Sequence, residues 1–267
     1  MRALDSWRNM VAFPLSGRSY KPRKNGLTMV LDKGLGLGET NDLLGIASEH
    51  IDIIKLGFGT SALYGDGVLQ EKVELIKSRG IDIYPGGTFF ELAVAQGKLI
   101  PFLNLAKQIG FSAIEVSDGT INLDQETRFK AITLACDMGF KVFSEVGKKD
   151  PSQQVSSAVL AAQIEKDIEA GASRVIIEGR EFGTNVTLYD GNGMVKEHFL
   201  NEFLERISDP QLIIWEAPLK QQQQELILRF GPDVNLGNIA PQEILSLEAL
   251  RVGLRGDTLR YCIGEMS

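Results

Sequence analysis

The chain has 267 residues, of which 43% are hydrophobic, and a formal net charge of -7 at pH 7. This length allows a large core in one domain, since α/β barrels of about 250 residues are commonly single domains. The acidic balance argues against a general nucleic-acid-binding protein, which would be basic, but it permits a local basic site for a small anion.

Cysteine and histidine are too scarce for several classes of site. Cys136 and Cys262 form no CxxC pattern and are too few for a disulfide scaffold, which indicates reduced thiols. His50 and His198 belong to no HExxH-type motif, which argues against a histidine-rich zinc site. No apolar stretch is long enough to cross a membrane, and the N-terminus lacks the apolar core of a secretion signal. We therefore expect a soluble, cytoplasmic protein with no membrane partner.

The first part of the chain is polar and irregular, and we assign residues 1–27 to an N-terminal arm. The arm ends in a basic run between Gly17 and Gly26. We interpret this run as a solvated segment, with a contact to a phosphate group or to a partner as the alternative.

From residue 28 onwards, short apolar runs alternate with segments of helical spacing. The runs lack strict polar alternation, as expected for parallel strands that are covered on both faces. We predict eight strands, at residues 28–32, 51–56, 81–84, 113–116, 141–145, 174–178, 212–216 and 234–237.

Helices are predicted between these strands. The segment 125–138 follows Asp124, a suitable N-cap, and precedes Gly139, a residue that commonly ends helices. The segment 89–109 is predicted as two helical pieces, divided near Gly97. Further helices are predicted at residues 68–78, 151–170, 219–230 and 241–252.

Eight strands that alternate with helices predict an α/β fold, a (β/α)₈ TIM-type barrel in a single domain over residues 28–267. A doubly wound open sheet is the alternative. Its dinucleotide-binding version is weakened because no GxGxxG turn follows the first strand. The glycine-rich segment 34–38 also lacks the Lys-Ser/Thr of a P-loop, so it is interpreted as a simple loop, or as a lid.

Glutamates lie at or next to the end of four of the predicted strands, and Asp32 ends a fifth. In a barrel, these strand ends form the face that carries the active site. Acids that lie close together need cations or a metal ion to stay ionised, and oxygen ligands suit Mg²⁺ better than zinc. For each acid alone, a salt-bridged residue at the rim is an equal alternative. The four residues are Glu115, Glu145, Glu178 and Glu216.

Basic residues accompany these acids. Lys55 lies within an apolar run, where an unpaired ammonium group would be unfavourable, so we expect it to point into the site. Lys148 and Lys149 follow Glu145 in a short loop; exposure to solvent is the simple interpretation, and a proton donor beside Glu145 is the functional one. The turn at residues 236–241 opens a helix and is either a phosphate site or an ordinary βα turn.

Six segments, taken together, resemble the phosphosulfolactate synthase family. The resemblance covers most of residues 12–260 in the same order, and residues 1–11 fall outside it. The segments are Val30-Leu31-Asp32-Lys33-Gly34, Asp52-Ile53-Ile54-Lys55-Leu56-Gly57, Tyr84-Pro85-Gly86-Gly87-Thr88, Ile114-Glu115-Val116-Ser117-Asp118-Gly119, Glu145-Val146-Gly147-Lys148-Lys149 and Gly253-Leu254-Arg255-Gly256-Asp257.

The resemblance implies an enzyme, a carbon–sulfur lyase with a barrel fold that forms a homo-oligomer. It implies Mg²⁺-dependent addition of sulfite to phosphoenolpyruvate, which gives (R)-2-phospho-3-sulfolactate. Lys148, carried over from the matching motif, would then protonate C2. The phosphate and sulfite groups would be held by Lys33, Lys55, Arg180, Gly237 and Asn238. The metal would be held by Glu145, Glu178 and Glu216, with Asp32 and Glu115 as the next candidates.

Two other functions remain open from the sequence. One is another enolate-forming barrel enzyme, such as an aldolase with Lys55 or Lys148 as a Schiff base. The other is a barrel that has lost catalysis and serves as a binding or assembly protein. The density of charge at the strand ends argues against this last alternative.

Overall fold

The strands of the computed structural model are parallel and form one sheet in the order β3-β2-β1-β8-β7-β6-β5-β4. The structure describes residues 7–264; the start of the predicted arm, 1–6, and the end of the predicted barrel domain, 265–267, lie outside the described residues. The strands are Thr28–Asp32 (β1), Ile53–Leu56 (β2), Asp82–Tyr84 (β3), Ala113–Val116 (β4), Lys141–Val146 (β5), Arg174–Ile177 (β6), Ile213–Glu216 (β7) and Leu236–Ile239 (β8).

This strand order confirms the TIM-type barrel. Each strand lies beside its neighbours in sequence, and β1 pairs with β8, so the sheet curls back onto itself instead of reversing as a doubly wound sheet does. The barrel is nearly closed between β3 and β4, where the Ser112 amide donates to the Ile83 carbonyl at 3.2 Å. All eight predicted strands are present, with ends that shift by at most two residues.

Helices cover the outside of the sheet. Asp124 caps its helix as predicted, since its side chain accepts a hydrogen bond from the Thr127 amide. The helices are Trp7–Met10 (α1), Leu37–Ala47 (α2), Val68–Lys77 (α3), Gly87–Ala95 (α4), Leu99–Ile109 (α5), Gln125–Asp137 (α6), Ser157–Glu169 (α7), Glu197–Leu204 (α8), Lys220–Phe230 (α9), Ile244–Arg251 (α10) and Gly256–Cys262 (α11). Within residues 7–264, none of them combines the length and hydrophobicity that a bilayer crossing requires.

The predicted helices are present, although some differ in their bounds and others were not predicted. The segment 89–109 is divided into α4 and α5 as predicted. The segments 151–170 and 241–252 each begin with a separate 3₁₀ turn that starts at a proline, and the α-helix follows it. Helices α1, α2, α8 and α11 were not predicted; α2 begins at Leu37, so the glycine-rich segment 34–38 is a loop that runs into the first residues of a helix.

The basic residues of the arm pack against the lower face of the barrel, where the strands begin. Arg18 lies 2.9 Å from Glu248, and Lys21 donates to three backbone carbonyls at 2.7 to 3.2 Å. Arg23 lies 3.3 Å from Asp52, and its side chain is 2% exposed. The interpretation of this run as a solvated segment is therefore wrong for these three residues.

Candidate active site

A charged layer lies directly above an apolar layer inside the barrel. Side chains two residues apart on a strand point to the same side, and five of the seven buried apolar residues of the interior layer are followed by a charged one. These five apolar residues are Ile53, Ala113, Phe143, Ile176 and Ile214. The charged residues two positions later are Lys55, Glu115, Glu145, Glu178 and Glu216, all buried.

Lys55 lies among three carboxylates at the centre of this layer. Its Nζ is 3.0 Å from both Glu115 Oε2 and Glu145 Oε2, and 3.2 Å from Glu216 Oε1. Burial alone would lower the pKa of Lys55, but the carboxylates outweigh it and raise this pKa well above its ordinary value. The carboxylates therefore favour the ammonium form of Lys55, whose side chain points into the site as the sequence predicted.

Lys149 is the second cation of the site. Its Nζ lies 3.5 Å from Glu145 Oε1, 3.6 Å from Glu178 Oε2 and 3.7 Å from Glu91 Oε1. The Nζ also donates to the Thr88 hydroxyl at 3.2 Å. Burial would lower the pKa of Lys149, but these carboxylates raise it above the ordinary lysine value.

Glu91 is a site residue that the strand-end pattern missed. It lies on helix α4 and is 1% exposed. One of its carboxylate oxygens accepts from the Ser117 hydroxyl at 2.7 Å, and the other accepts from the Thr120 and Ile121 amides at 2.8 and 3.0 Å. The only signal in the sequence was an acid three residues after the Gly-Gly-Thr turn, on a helix where exposed acids are common.

Three carboxylates form a candidate metal centre. Glu145, Glu178 and Glu216 each offer one oxygen, and these oxygens lie within 4.8 Å of one another. Glu178 Oε2 meets no hydrogen-bond partner in the part of the chain that the structure describes. Burial, followed by repulsion from Glu145 and Glu216, raises the pKa of Glu178 well above its ordinary value. The same three residues were predicted from the sequence as metal ligands.

Negative charge exceeds positive charge in this layer. Five buried carboxylates face two ammonium groups, so the site must either take up protons or bind a further cation. Burial raises the pKa of Glu115 to about 7, whereas Lys55 and Lys149 hold the pKa of Glu145 below its ordinary value in spite of burial. Oxygen ligands with an excess of negative charge fit Mg²⁺, which prefers hard carboxylate ligands.

Two adjoining cavities open above the charged layer. One has a volume of about 250 Å³ and is lined by residues that include Lys55, Lys149 and Glu216. The other, of about 380 Å³, extends over the loop after β1 and the turn after β8. Leu31, Glu181 and Asn238 line both, so the two cavities form one continuous space larger than either alone.

Four of the predicted substrate-binding residues border these cavities, Lys55 and the three that follow. Arg180 has a left-handed backbone (φ 58°), and its Nη1 donates to the Lys149 carbonyl at 2.8 Å. Asn238 donates to the Arg180 carbonyl at 3.1 Å, and its Oδ1 accepts no hydrogen bond from residues 7–264. Lys33 lies at the mouth, 2.8 Å from Glu181, with 55% of its side chain exposed.

Lys148 lies apart from the carboxylate cluster. Its Nζ donates to the Asp118 carbonyl at 2.6 Å, to Asp118 Oδ2 at 2.9 Å and to the Ile121 carbonyl at 2.9 Å. These three hydrogen bonds therefore hold the loop after β4, between Asp118 and Ile121, in its observed conformation. The structure does not bring Lys148 beside Glu145, where the sequence analysis placed it, and its neighbour Lys149 occupies that position.

Gly237 and Asp32 are also held away from the substrate space. A Cβ atom on Gly237 would lie 2.5 Å from Met29 Cε, and its carbonyl accepts from the Ala217 amide, so this glycine serves close packing inside the barrel. The Asp32 carboxylate lies 2.6 Å from Lys72 Nζ, and its other oxygen accepts from two amides of the following loop. The expectations of substrate binding by Gly237 and of metal binding by Asp32 do not fit these contacts.

The charge state of Lys55 bears on the aldolase alternative. A Schiff base forms only from a neutral amine, whose population falls as the pKa rises. Three carboxylates stabilise the ammonium form of Lys55, and Lys148 donates all three of its hydrogen bonds to oxygens of the loop after β4. The contacts of both lysines thus disfavour imine chemistry.

Comparison with known proteins agrees with this picture of the chain. The model of the (2R)-phospho-3-sulfolactate synthase (ComA) family matches residues 16–257. The chain is 45% identical over 253 residues to the phosphosulfolactate synthase of Methanothermobacter thermautotrophicus, covering 94% of this chain and 98% of that protein. It is 46% identical over 241 residues to the phosphosulfolactate synthase of Methanocaldococcus jannaschii, covering 90% and 96%.

Among solved structures, the chain is similar to 3-hexulose-6-phosphate synthase from Salmonella typhimurium. The TM-score is 0.54, with 16% sequence identity, and the match covers 86% of this chain and 100% of that one. An identity this low supports the barrel fold alone.

Proposed function

The chain belongs to the (2R)-phospho-3-sulfolactate synthase family, and from this premise we propose that it adds sulfite to phosphoenolpyruvate with the help of Mg²⁺. The product would be (R)-2-phospho-3-sulfolactate, and the new bond is a carbon–sulfur bond. The observation that carries the proposal is the buried layer in which Glu145, Glu178 and Glu216 converge beside Lys55 and Lys149.

The substrates are anions, and the site supplies cations at separate places. Lys55 and Lys149 lie at the floor, whereas Lys33 and Arg180 lie at the mouth and along the wall. Phosphoenolpyruvate carries a phosphate and a carboxylate, so it would extend from the floor into the adjoining cavity bordered by Lys33 and Asn238. Sulfite would then take a place beside C3 within reach of a floor cation.

A Mg²⁺ ion held by Glu145, Glu178 and Glu216 would supply electrostatic stabilisation of the negative charge that builds on the substrate carboxylate. The sulfur lone pair of sulfite forms the bond to C3, and the electrons of the C2–C3 double bond move to C2 and into the carboxylate. Lys55 contributes a fixed positive charge to the same floor.

The addition ends when C2 takes up a proton. We propose Lys149 as the donor, because its Nζ lies among Glu91, Glu145 and Glu178 at the floor of the cavity. Lys148, which the sequence analysis chose, holds the adjacent loop instead. Delivery of the proton to one face of C2 from a fixed ammonium group would give a single stereoisomer.

The direct test is an assay of the purified protein with phosphoenolpyruvate, sulfite and MgCl₂. We expect loss of the enol absorbance that requires all three, and EDTA should stop it. A protein that consumes phosphoenolpyruvate without sulfite, or not at all, would contradict the proposal. Borohydride trapping in the presence of substrate should leave the protein unmodified, which separates this chemistry from that of a Schiff-base aldolase.

Two broader expectations accompany the proposal. A cytoplasmic location and a homo-oligomeric state are inferred from the sequence and its resemblance. Fractionation of the source cells and light scattering of the purified chain would test them.

A further inference from the structure

The lower face of the barrel, opposite the carboxylate cluster, holds another cavity of about 300 Å³. Its walls include the first residues of three strands, Asp82 in β3, Lys141 in β5 and Arg174 in β6, together with the last residues of the N-terminal arm. Parallel strands of a barrel all begin at one end and finish at the other. This cavity is therefore separate from the candidate active site.

Positive charge predominates in its walls. The basic side chains are Lys21, Arg23, Lys24, Lys141 and Arg174, and the acidic ones are Asp52 and Asp82. Lys141 pairs with Asp82, and Arg23 Nε lies 3.3 Å from Asp52 Oδ1. Five basic groups against two acidic groups leave an excess of three positive charges in the wall of one small cavity.

Arg23 is the most deeply buried of these cations. Its side chain is 2% exposed, and one guanidinium nitrogen, Nη1, has no hydrogen-bond partner between residues 7 and 264. The opposite nitrogen donates to the Glu49 carbonyl. A buried guanidinium nitrogen without an acceptor is costly, and burial lowers the pKa of Arg23 accordingly. The described residues therefore leave part of the hydrogen-bonding capacity of Arg23 unused.

Arg174, which lines the same cavity, also has an unpartnered donor. Its Nη1 donates to the Ser173 carbonyl at 2.6 Å and its Nη2 to the Lys24 carbonyl at 2.7 Å, so the guanidinium plane is fixed. Its Nε has no hydrogen-bond partner among the described residues. Burial lowers the pKa of Arg174 as well. Two oriented arginines with free donors thus line one cavity.

We propose that this cavity binds a phosphate dianion, free or as the ester of a short carbon chain. Guanidinium groups match the geometry of phosphate oxygens, and a dianion would offset most of the excess positive charge. Arg23 and Arg174 would donate the hydrogen bonds, while Lys24 and Lys141 add electrostatic attraction. The volume lies at the lower end of the range for small-molecule pockets, which favours a compact ligand. The inference does not rest on the proposed activity.

The test uses the full chain with Lys149→Met, which removes a cation of the upper site. The thermal midpoint is followed with rising sodium phosphate, against sodium chloride at equal ionic strength. A parallel series uses glycerol 3-phosphate. We expect a saturable rise in the midpoint with phosphate, and the probe with the lower apparent Kd identifies the free or esterified form as the preferred ligand.

The decisive variant is Arg174→Gln, which should raise the apparent Kd for phosphate about tenfold, since one charge-assisted contact is lost. Arg174→Lys should recover part of the affinity. Lys130→Gln, which changes an exposed lysine on α6, should bind phosphate like the parent.

If Arg174→Gln does not fold, Lys24→Gln is the variant to compare, and it should raise the apparent Kd for phosphate about threefold. An unchanged apparent Kd, or no stabilisation beyond that of chloride, overturns the proposal.

Discussion

Lys148 and Lys149 are adjacent in sequence but direct their ammonium groups to different networks. Lys148 Nζ binds Asp118 and the loop after β4, whereas Lys149 Nζ lies 3.5 Å from Glu145 at the floor of the cavity. Successive side chains in extended backbone point to opposite sides, and the turn at Gly147 (φ 113°) starts this short segment. Of the two lysines, Lys149 is therefore the one that lies beside the carboxylate cluster.

The first prediction separates the two lysines. Lys149→Met should lower kcat by roughly 10²–10⁴-fold, the usual contribution of a general acid. Lys148→Met should cause a smaller loss, through a less ordered loop. Steady-state kinetics and circular dichroism on both variants measure this. Full activity in Lys149→Met together with an inactive, folded Lys148→Met would restore the original assignment.

The second prediction concerns the metal. Glu178→Gln removes one of three converging carboxylates and should weaken Mg²⁺ binding by at least about 10–100-fold, the range seen even for outer residues of metal sites. Calorimetric titration with MgCl₂ measures this without substrate. Glu181→Gln, an acid paired with Lys33 at the mouth, is the matched control and should bind Mg²⁺ normally. Equal affinities in the two variants would remove Glu178 from the ligand set.

The third prediction concerns the pH dependence of stability. Burial raises the pKa of Glu115 from 4.5 to about 7. A group whose pKa is raised by folding stabilises the protein below its unfolded pKa, and this contribution disappears as the pH rises through the folded pKa. Metal-free wild type should therefore lose stability relative to Glu115→Gln between about pH 4.5 and pH 7. Urea unfolding in EDTA at both ends of this range measures the difference, and parallel behaviour of the two proteins would refute it.

The fourth prediction concerns the N-terminal arm. Arg18 donates to Glu248 at 2.9 Å, and it lowers the pKa of that carboxyl although burial opposes this. A lowered pKa stabilises the protein above the unfolded value, and the effect is lost as the pH falls through the folded pKa. Glu248→Gln should thus cost about 1–3 kcal/mol at neutral pH and little in acid. A double-mutant cycle with Arg18→Gln, by urea unfolding, should show that the two losses are not additive.

The fifth prediction concerns the approach of helix α4 to the site. A Cβ atom on Gly87 would lie 1.9 Å from Glu115 Oε1 and 2.7 Å from Ser117 Cβ. Gly87→Ala should displace Glu115, reduce kcat/KM and destabilise the fold by about 1–3 kcal/mol. Gly38→Ala, on exposed α2 with no atom within 4 Å of the new methyl group, should instead be neutral or slightly stabilising. Assays and urea unfolding of both variants compare the two positions.

Much of the site was predictable because barrel strands obey local rules. Four acids at strand ends, and Lys55 inside an apolar run, follow from the period of two along a strand and from the common direction of parallel strands. Glu91 was not predictable in this way. It reaches the site from helix α4, where an acid at this spacing is ordinarily exposed.

The sequence by itself determined the barrel and the convergence of Glu145, Glu178 and Glu216, since strand periodicity and parallel order place these residues at one end. Only the tertiary structure decided that Lys149, not Lys148, lies beside them. It also decided that Gly237 packs against Met29 instead of facing the cavity. The physical reason is that loop conformation and the register between neighbouring strands depend on contacts between residues far apart in sequence, which no local pattern encodes.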